Sequence, residues 1–160
     1  MKEKSLFGQM SFWRNFTVQL VRSTPEDLVD EVPEGFLNSI RWNTGHILVV
    51  NDEYISMGIG RDKRLPDFYH TLFATGTRSS DWNEDPPSMD DLLQWLEAEP
   101  RYLQELLSGR VNEELLKPAE YETTFEELIC FLIGHETYHL GVMHGIKRAI
   151  GIPNILGQSE

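Results

Sequence analysis

Residues 124–153 read TFEELICFLIGHETYHLGVMHGIKRAIGIP. Thr124 followed three residues later by Glu127 forms a capping box, which opens a helix; Gly151 and Pro153 close it after Ile150. Between these ends Leu128, Leu132, His135, His139, Val142 and Ile146 step by four, three, four, three and four. That spacing puts all six on one seam of the helix. An apolar seam of this length requires other helices to bury it, so the rest of the chain is read for partners.

Three such partners are present. The first is expected over Ser5–Val21, with Phe7, Met10, Phe12, Phe16, Val18 and Leu20 among polar residues and Pro25 beyond its end. The second is expected over Ser39–Met57, carrying Ile40, Ile47, Leu48, Val50, Tyr54 and Ile55, with Gly58 and Gly60 as stops. The third starts at Ser88, an N-cap with an acid three residues on, carries Leu92, Leu96, Leu103 and Leu107, and stops at Gly109. Pro100 is expected to kink or split it. A long connection, residues 58–87, joins the second helix to the third, with a short helix near Pro66 to Leu72; long connections in compact domains often carry function. A second irregular segment spans residues 110–123, and no segment alternates with the period of a strand. The pattern is that of an all-α chain, a four-helix bundle in a single domain over residues 1–160.

Composition narrows the function classes. Formal net charge is −12 with 26 acidic and 14 basic residues, so a phosphate backbone is disfavoured and no nucleic-acid partner is expected. No apolar run reaches the ~18 residues of a membrane span, and no apolar stretch follows the basic residues at the start, so no secretory leader is expected. Cys130 is the one cysteine, which excludes an internal disulfide and fits a cytoplasmic protein.

The histidines are the chemistry-bearing residues. His135 and His139 face the core one turn apart, where two imidazoles are costly unless each nitrogen finds a partner. A metal ion supplies one partner, and neighbouring protein groups supply the other. The string His135-Glu136-Thr137-Tyr138-His139 also matches the short zinc-protease motif, but His144 falls one position short of the third ligand in the longer one. His144 lies about 140° around the helix from His139 at about 100° per residue, so it is not expected at the same ion. His46, on the second helix between the apolar Trp42 and Val50, is the candidate third ligand. Three histidines from two helices would leave a coordination position open, as in catalytic rather than structural sites. Glu53, on the His46 face, and Glu136 are candidate proton acceptors. His70 reads as a surface histidine and Cys130 as a packed thiol. Gly134, Thr137, Gly141 and Gly145 form a strip of small residues suited to a closely packed neighbouring helix or to a dimer contact.

Two segments carry a family resemblance: IRWNTGHIL at residues 40–48 and HETYHLGVMHGIKRAIG at residues 135–151. Through them the chain resembles the DinB-like superfamily, which includes YfiT-type metal-dependent hydrolases and bacillithiol or mycothiol S-transferases. Element order and length agree over nearly the whole chain. The resemblance implies a bundle with helices running up, down, down and up. It implies a divalent ion, zinc or nickel, on His46, His135 and His139, and a homodimer as a common state. It further implies a thiol S-transferase or hydrolase acting on a small-molecule thiol or an electrophilic substrate. The competing reading is a metal-binding or structural helical protein of a stress response, without catalysis.

Overall fold

The computed structural model describes residues 1–152. Five α-helices carry the fold: α1 (Glu3–Arg22), α2 (Ile40–Ile59), the short α3 (Asp67–Phe73), α4 (Met89–Leu107) and α5 (Phe125–Ala149). Among the described residues there is no strand, only an isolated bridge between Glu114 and Thr124. The all-α expectation is met.

The helix ends follow their local chemistry. The Ser39 hydroxyl accepts from Trp42 N at the start of α2, and the Ser88 hydroxyl accepts from Asp91 N at the start of α4. Thr124 and Glu127 form the full capping box of α5. Gly60 ends α2 with a φ of 68°, the left-handed conformation that lets its N–H return to Ser56 O.

Contacts between named residues fix the directions of the long helices. The Met1 amino group meets Glu126 and Lys147 Nζ reaches Leu20 O, so α1 and α5 run parallel. Gly109 N donates to Glu3 Oε2, which sets α4 antiparallel to α1. His46 lies against His139, while the side chains of Phe125 and Leu128 reach Gly58, so α2 opposes α5. The order is therefore up, down, down, up.

Two apolar cores result. One gathers Leu20, Ile47, Phe73, Leu92, Leu96 and Ile146; the other gathers Leu6, Phe7, Ile55, Leu107, Leu128 and Leu132. Between them α1, α4 and α5 place Arg14, Glu99 and the segment from His135 to His139, so a polar layer crosses the middle of the fold.

Three local expectations are corrected. Of the kink or split expected at Pro100, the split does not occur: α4 runs through it, and Arg14 Nη1 donates at 2.8 Å to Leu96 O, the carbonyl four residues before the proline. Cys130 is exposed rather than packed; its helical phase puts it on the outer face of α5. The small-residue strip does not pack closely on a neighbouring helix at Gly134 and Gly141, where an added Cβ would meet nothing within 4 Å. Only Gly145 is covered, by the Phe36 ring.

The 58–87 connection acts as a cover. Every residue of α2 from Ile40 to Asp52 is buried, so a fourth side of this helix needs protection that the other long helices do not give. Leu65, Tyr69, Leu72 and Phe73 supply it. Asp52 latches the segment by accepting from Arg64 N, Leu65 N and His70 Nε2 at 2.9–3.2 Å. His70 is thus a half-buried partner of Asp52 rather than a free surface histidine.

Candidate metal centre

α2 delivers His46 and α5 delivers His135 and His139, and one ligand atom from each lies within 4.8 Å of the others. No further histidine, cysteine or carboxylate joins them among the described residues, and His144 stays outside, as its phase requires. A close approach of α2 to the connection makes the position of His46 possible. Gly45 lets the Phe73 ring lie where a Cβ would fall 2.5 Å from it.

Two of the three rings have their tautomers set. His46 Nδ1 lies 2.6 Å from Phe73 O, a carbonyl that can only accept, so Nδ1 carries the proton and Nε2 keeps its lone pair. His139 Nδ1 lies 2.8 Å from Asn43 Oδ1. Asn43 is itself oriented, because its Nδ2 donates to Ser39 O at 2.7 Å, so the oxygen faces His139 and Nε2 of that ring is again the free acceptor. Trp42 stacks on His46 with ring centres 4.5 Å apart and 14° between planes, fixing the ring's tilt.

His135 supplies the test of fit. Its Nδ1 is buried and has no hydrogen-bond partner, a state that protein interiors rarely tolerate. Three neutral imidazoles whose ligand nitrogens converge suit a divalent ion of intermediate softness. Burial pushes the pKa of His135 down to about 4 with help from His46, and that of His139 down to about 3 with help from His135 and His46. Burial also lowers His46, against the pull of the Phe73 carbonyl. All three are neutral at pH 7, the form that ligates.

The candidate proton acceptors lie elsewhere. Both Glu136 oxygens accept from Arg14, at 2.7 Å from Nε and 3.0 Å from Nη2, so the carboxylate is turned toward α1 and held there. The short protease motif thereby loses its base. Glu53 is half-exposed, with an oxygen 3.9 Å from Lys63 Nζ. Sequence reading missed Asn43 and the Phe73 carbonyl. Asn43 had a signal, since it lies in the quoted IRWNTGHIL three residues before His46. The Phe73 carbonyl had none, because a main-chain oxygen leaves no mark in the sequence.

His139 also lines a cavity of about 440 Å³ bounded by Phe36, Trp42, Asn43 and Tyr138. The cluster therefore adjoins space for a small molecule. No helix among the described residues is long and apolar enough to cross a membrane. The family model of the DinB superfamily matches residues 9–143, which includes all three histidines. No curated protein matches the chain.

Proposed function

The chain belongs to the DinB superfamily, and on that premise we propose that it is a metal-dependent enzyme with thiol S-transferase or hydrolase chemistry. His46, His135 and His139 hold a divalent ion, zinc or nickel. The observation that carries this reading is the histidine cluster itself: three neutral rings, two with Nε2 preset as the free nitrogen and the third with a buried orphan nitrogen. A divalent ion at this position supplies Lewis acidity, lowering the pKa of a thiol or water so that it becomes a nucleophile near pH 7.

The protein's own groups do the rest. Phe73 O and Asn43 Oδ1 hold the protons on the Nδ1 atoms and so fix which nitrogens face the ion. Trp42 covers His46 on one side and keeps water from it. Among the described residues three protein ligands converge, which leaves room for an exogenous group.

Elemental analysis tests the reading. Purified protein is expected to hold about one divalent ion per chain, set by a single three-ligand site. His135→Ala is expected to lose most of it and His144→Ala none, because only the former ring is in the cluster. Adding a small thiol to the cobalt-substituted protein is expected to change its visible spectrum. A metal-free wild type, or equal loss in both variants, overturns the assignment; a cobalt spectrum indifferent to thiols removes the transferase chemistry and leaves a structural ion.

A further inference from the structure

A second cavity, of about 210 Å³, lies where α2, α4 and the start of the 58–87 connection meet. Two of its lining side chains are polar and buried, Asn51 at 3% exposure and Glu99 at 9%. Asn51 Nδ2 donates to Glu99 Oε2 at 2.8 Å, and Arg14 Nη2 donates to the same oxygen. Glu99 Oε1 accepts from nothing among the described residues, and Asn51 Oδ1 is buried without a partner. Burial raises the Glu99 pKa against the pull of Arg14 and Asn51, as expected of an anion short of donors. Two neighbouring acceptors are thus left at the inner end of the cavity, and N–H donors are what they lack.

The outer edge has the opposite character. Arg61 and Arg64 line it, both exposed, and neither guanidinium has a hydrogen bond or an ion pair among the described residues. Arg64 is nonetheless held in place: its main-chain N donates to Asp52, and its Cζ lies 3.4 Å from the Tyr102 ring centre. A guanidinium over a ring uses its face there and leaves the N–H donors in its plane available. Asp62 is the one exposed carboxylate among the lining residues, so the two guanidiniums outweigh it. Asp52 is already engaged, because it accepts from Arg64 N, Leu65 N and His70 Nε2. Ser56 Oγ donates to Asp62 O at 3.4 Å. The Tyr102 hydroxyl adds one neutral polar group, and Ile55, Ile59 and Leu103 supply the apolar wall.

The histidine cluster is on another side of α2. Asn51 stands five residues after His46, about 140° around the helix, and no member of the cluster lines this cavity. An ion on the histidines adds positive charge to the layer but no N–H donor at Asn51 Oδ1 or Glu99 Oε1. We propose that this cavity is a binding site for a small aminocarboxylate, with its ammonium group turned inward to Glu99 and Asn51 and its carboxylate outward to Arg64 and Arg61. A plain amine leaves the guanidiniums unmatched, and a plain acid meets the Glu99 carboxylate; a zwitterion matches both ends.

Calorimetric titration of the full chain tests this. β-Alanine, 4-aminobutyrate and 6-aminohexanoate vary the spacing between the two charges, and butylamine and butyrate each carry one charge alone. At least one aminocarboxylate is expected to saturate the site below about 10 mM and to bind more tightly than butylamine, with butyrate the weakest. Asn51→Leu is expected to weaken that aminocarboxylate and butylamine alike, by about tenfold, as for loss of one hydrogen bond to a charged group. Arg64→Gln, at an exposed position, is expected to weaken the aminocarboxylate by about fivefold and to leave butylamine no weaker. The second variant decides the matter even where Asn51→Leu does not fold. Absence of saturable binding by all three aminocarboxylates overturns the proposal, as does butyrate binding as tightly as they do. So does an Arg64→Gln that weakens amine and aminocarboxylate equally, or a folded Asn51→Leu with wild-type affinity. Each titration is repeated after chelation, where the order of the probes is expected to hold. An order that changes on chelation means that the ion sets the preference, and overturns the site.

Discussion

His135 and Glu136 are consecutive on α5, both lie in the polar layer, and they belong to opposite kinds of network. Glu136 faces α1, where Arg14 donates to both of its oxygens, to Glu99 Oε2 at 2.8 Å and to Leu96 O. Four of the guanidinium's five N–H donors meet acceptors at 2.7–3.0 Å, and beside them Asn51 Nδ2 donates to Glu99 Oε2 while Asn51 Oδ1 is buried without a partner. Burial alone would lower the pKa of Arg14, but Glu136 and Glu99 outweigh it and hold the charge in place. His135 faces α2, where the rings meet nitrogen to nitrogen and one Nδ1 has no partner. A network of matched charges stabilises a fold, whereas ring nitrogens left facing one another invite a ligand. About 100° of helix rotation separates the two.

Breaking the closed side is expected to have the largest effect. Arg14→Met leaves Glu99 and Glu136 buried without their cation, and removing one partner of a buried ion network costs about 3–5 kcal/mol. Urea denaturation measures it. A loss under about 1 kcal/mol would mean that solvent reaches the network.

The open side responds to acid. In the folded, metal-free protein His135 and His139 titrate at about 4 and about 3, below the ordinary value of ~6.5 that the unfolded chain regains. Between those values the unfolded state binds more protons. Stability is therefore fully present above pH ~6.5 and falls as pH drops toward about 4 and then 3. Chelator-treated wild type is expected to show this slope, and His135→Gln a shallower one. Equal slopes would mean that the rings are hydrated in the metal-free fold.

Two glycines make a smaller contrast between inside and outside. Gly45→Ala drives a methyl into the Phe73 ring, whose carbonyl orients His46. A loss of about 1–3 kcal/mol is expected, with weaker metal retention alongside it. Gly134→Ala adds a methyl to an exposed helix position with open space around it, and is expected to raise stability by about 0.5–1 kcal/mol. Thermal melts of the two variants should move in opposite directions. A destabilised Gly134→Ala would show that the outer face of α5 is covered in solution.

Much of this was legible in the residues. Periodicity and caps located the long helices, and helical phase separated His144 from His135 and His139. The Arg14 network was not read, although its signal was present. Glu99 follows Leu92 and Leu96 and precedes Leu103 on the seam of α4, and Arg14 follows Met10 and precedes Thr17 on that of α1. A charge at a core phase requires a partner, but its partners come from helices far apart in sequence. Cys130 was read as packed because a thiol is apolar in character, and Phe12 was counted in the apolar pattern of α1. Phe12 is exposed, edge-on to Trp13 and Phe16 along α1. The role of the 58–87 connection was illegible for a different reason. It covers a helix already buried on its other sides, and a uniformly buried helix shows no polar face to mark where a cover is missing.

The bond from Arg14 to Leu96 O has a consequence for how substitutions accumulate. Proline at 100 took away a peptide proton, and a side chain 86 positions earlier has taken over its duty. The two sites now share one account of mutational tolerance. While proline stands at 100, a change at 14 strands a main-chain carbonyl as well as two carboxylates. Once another residue restores the N–H at 100, the same change strands the carboxylates alone. The order in which the two positions vary therefore determines what each variation costs, and neither site can be assigned a tolerance of its own.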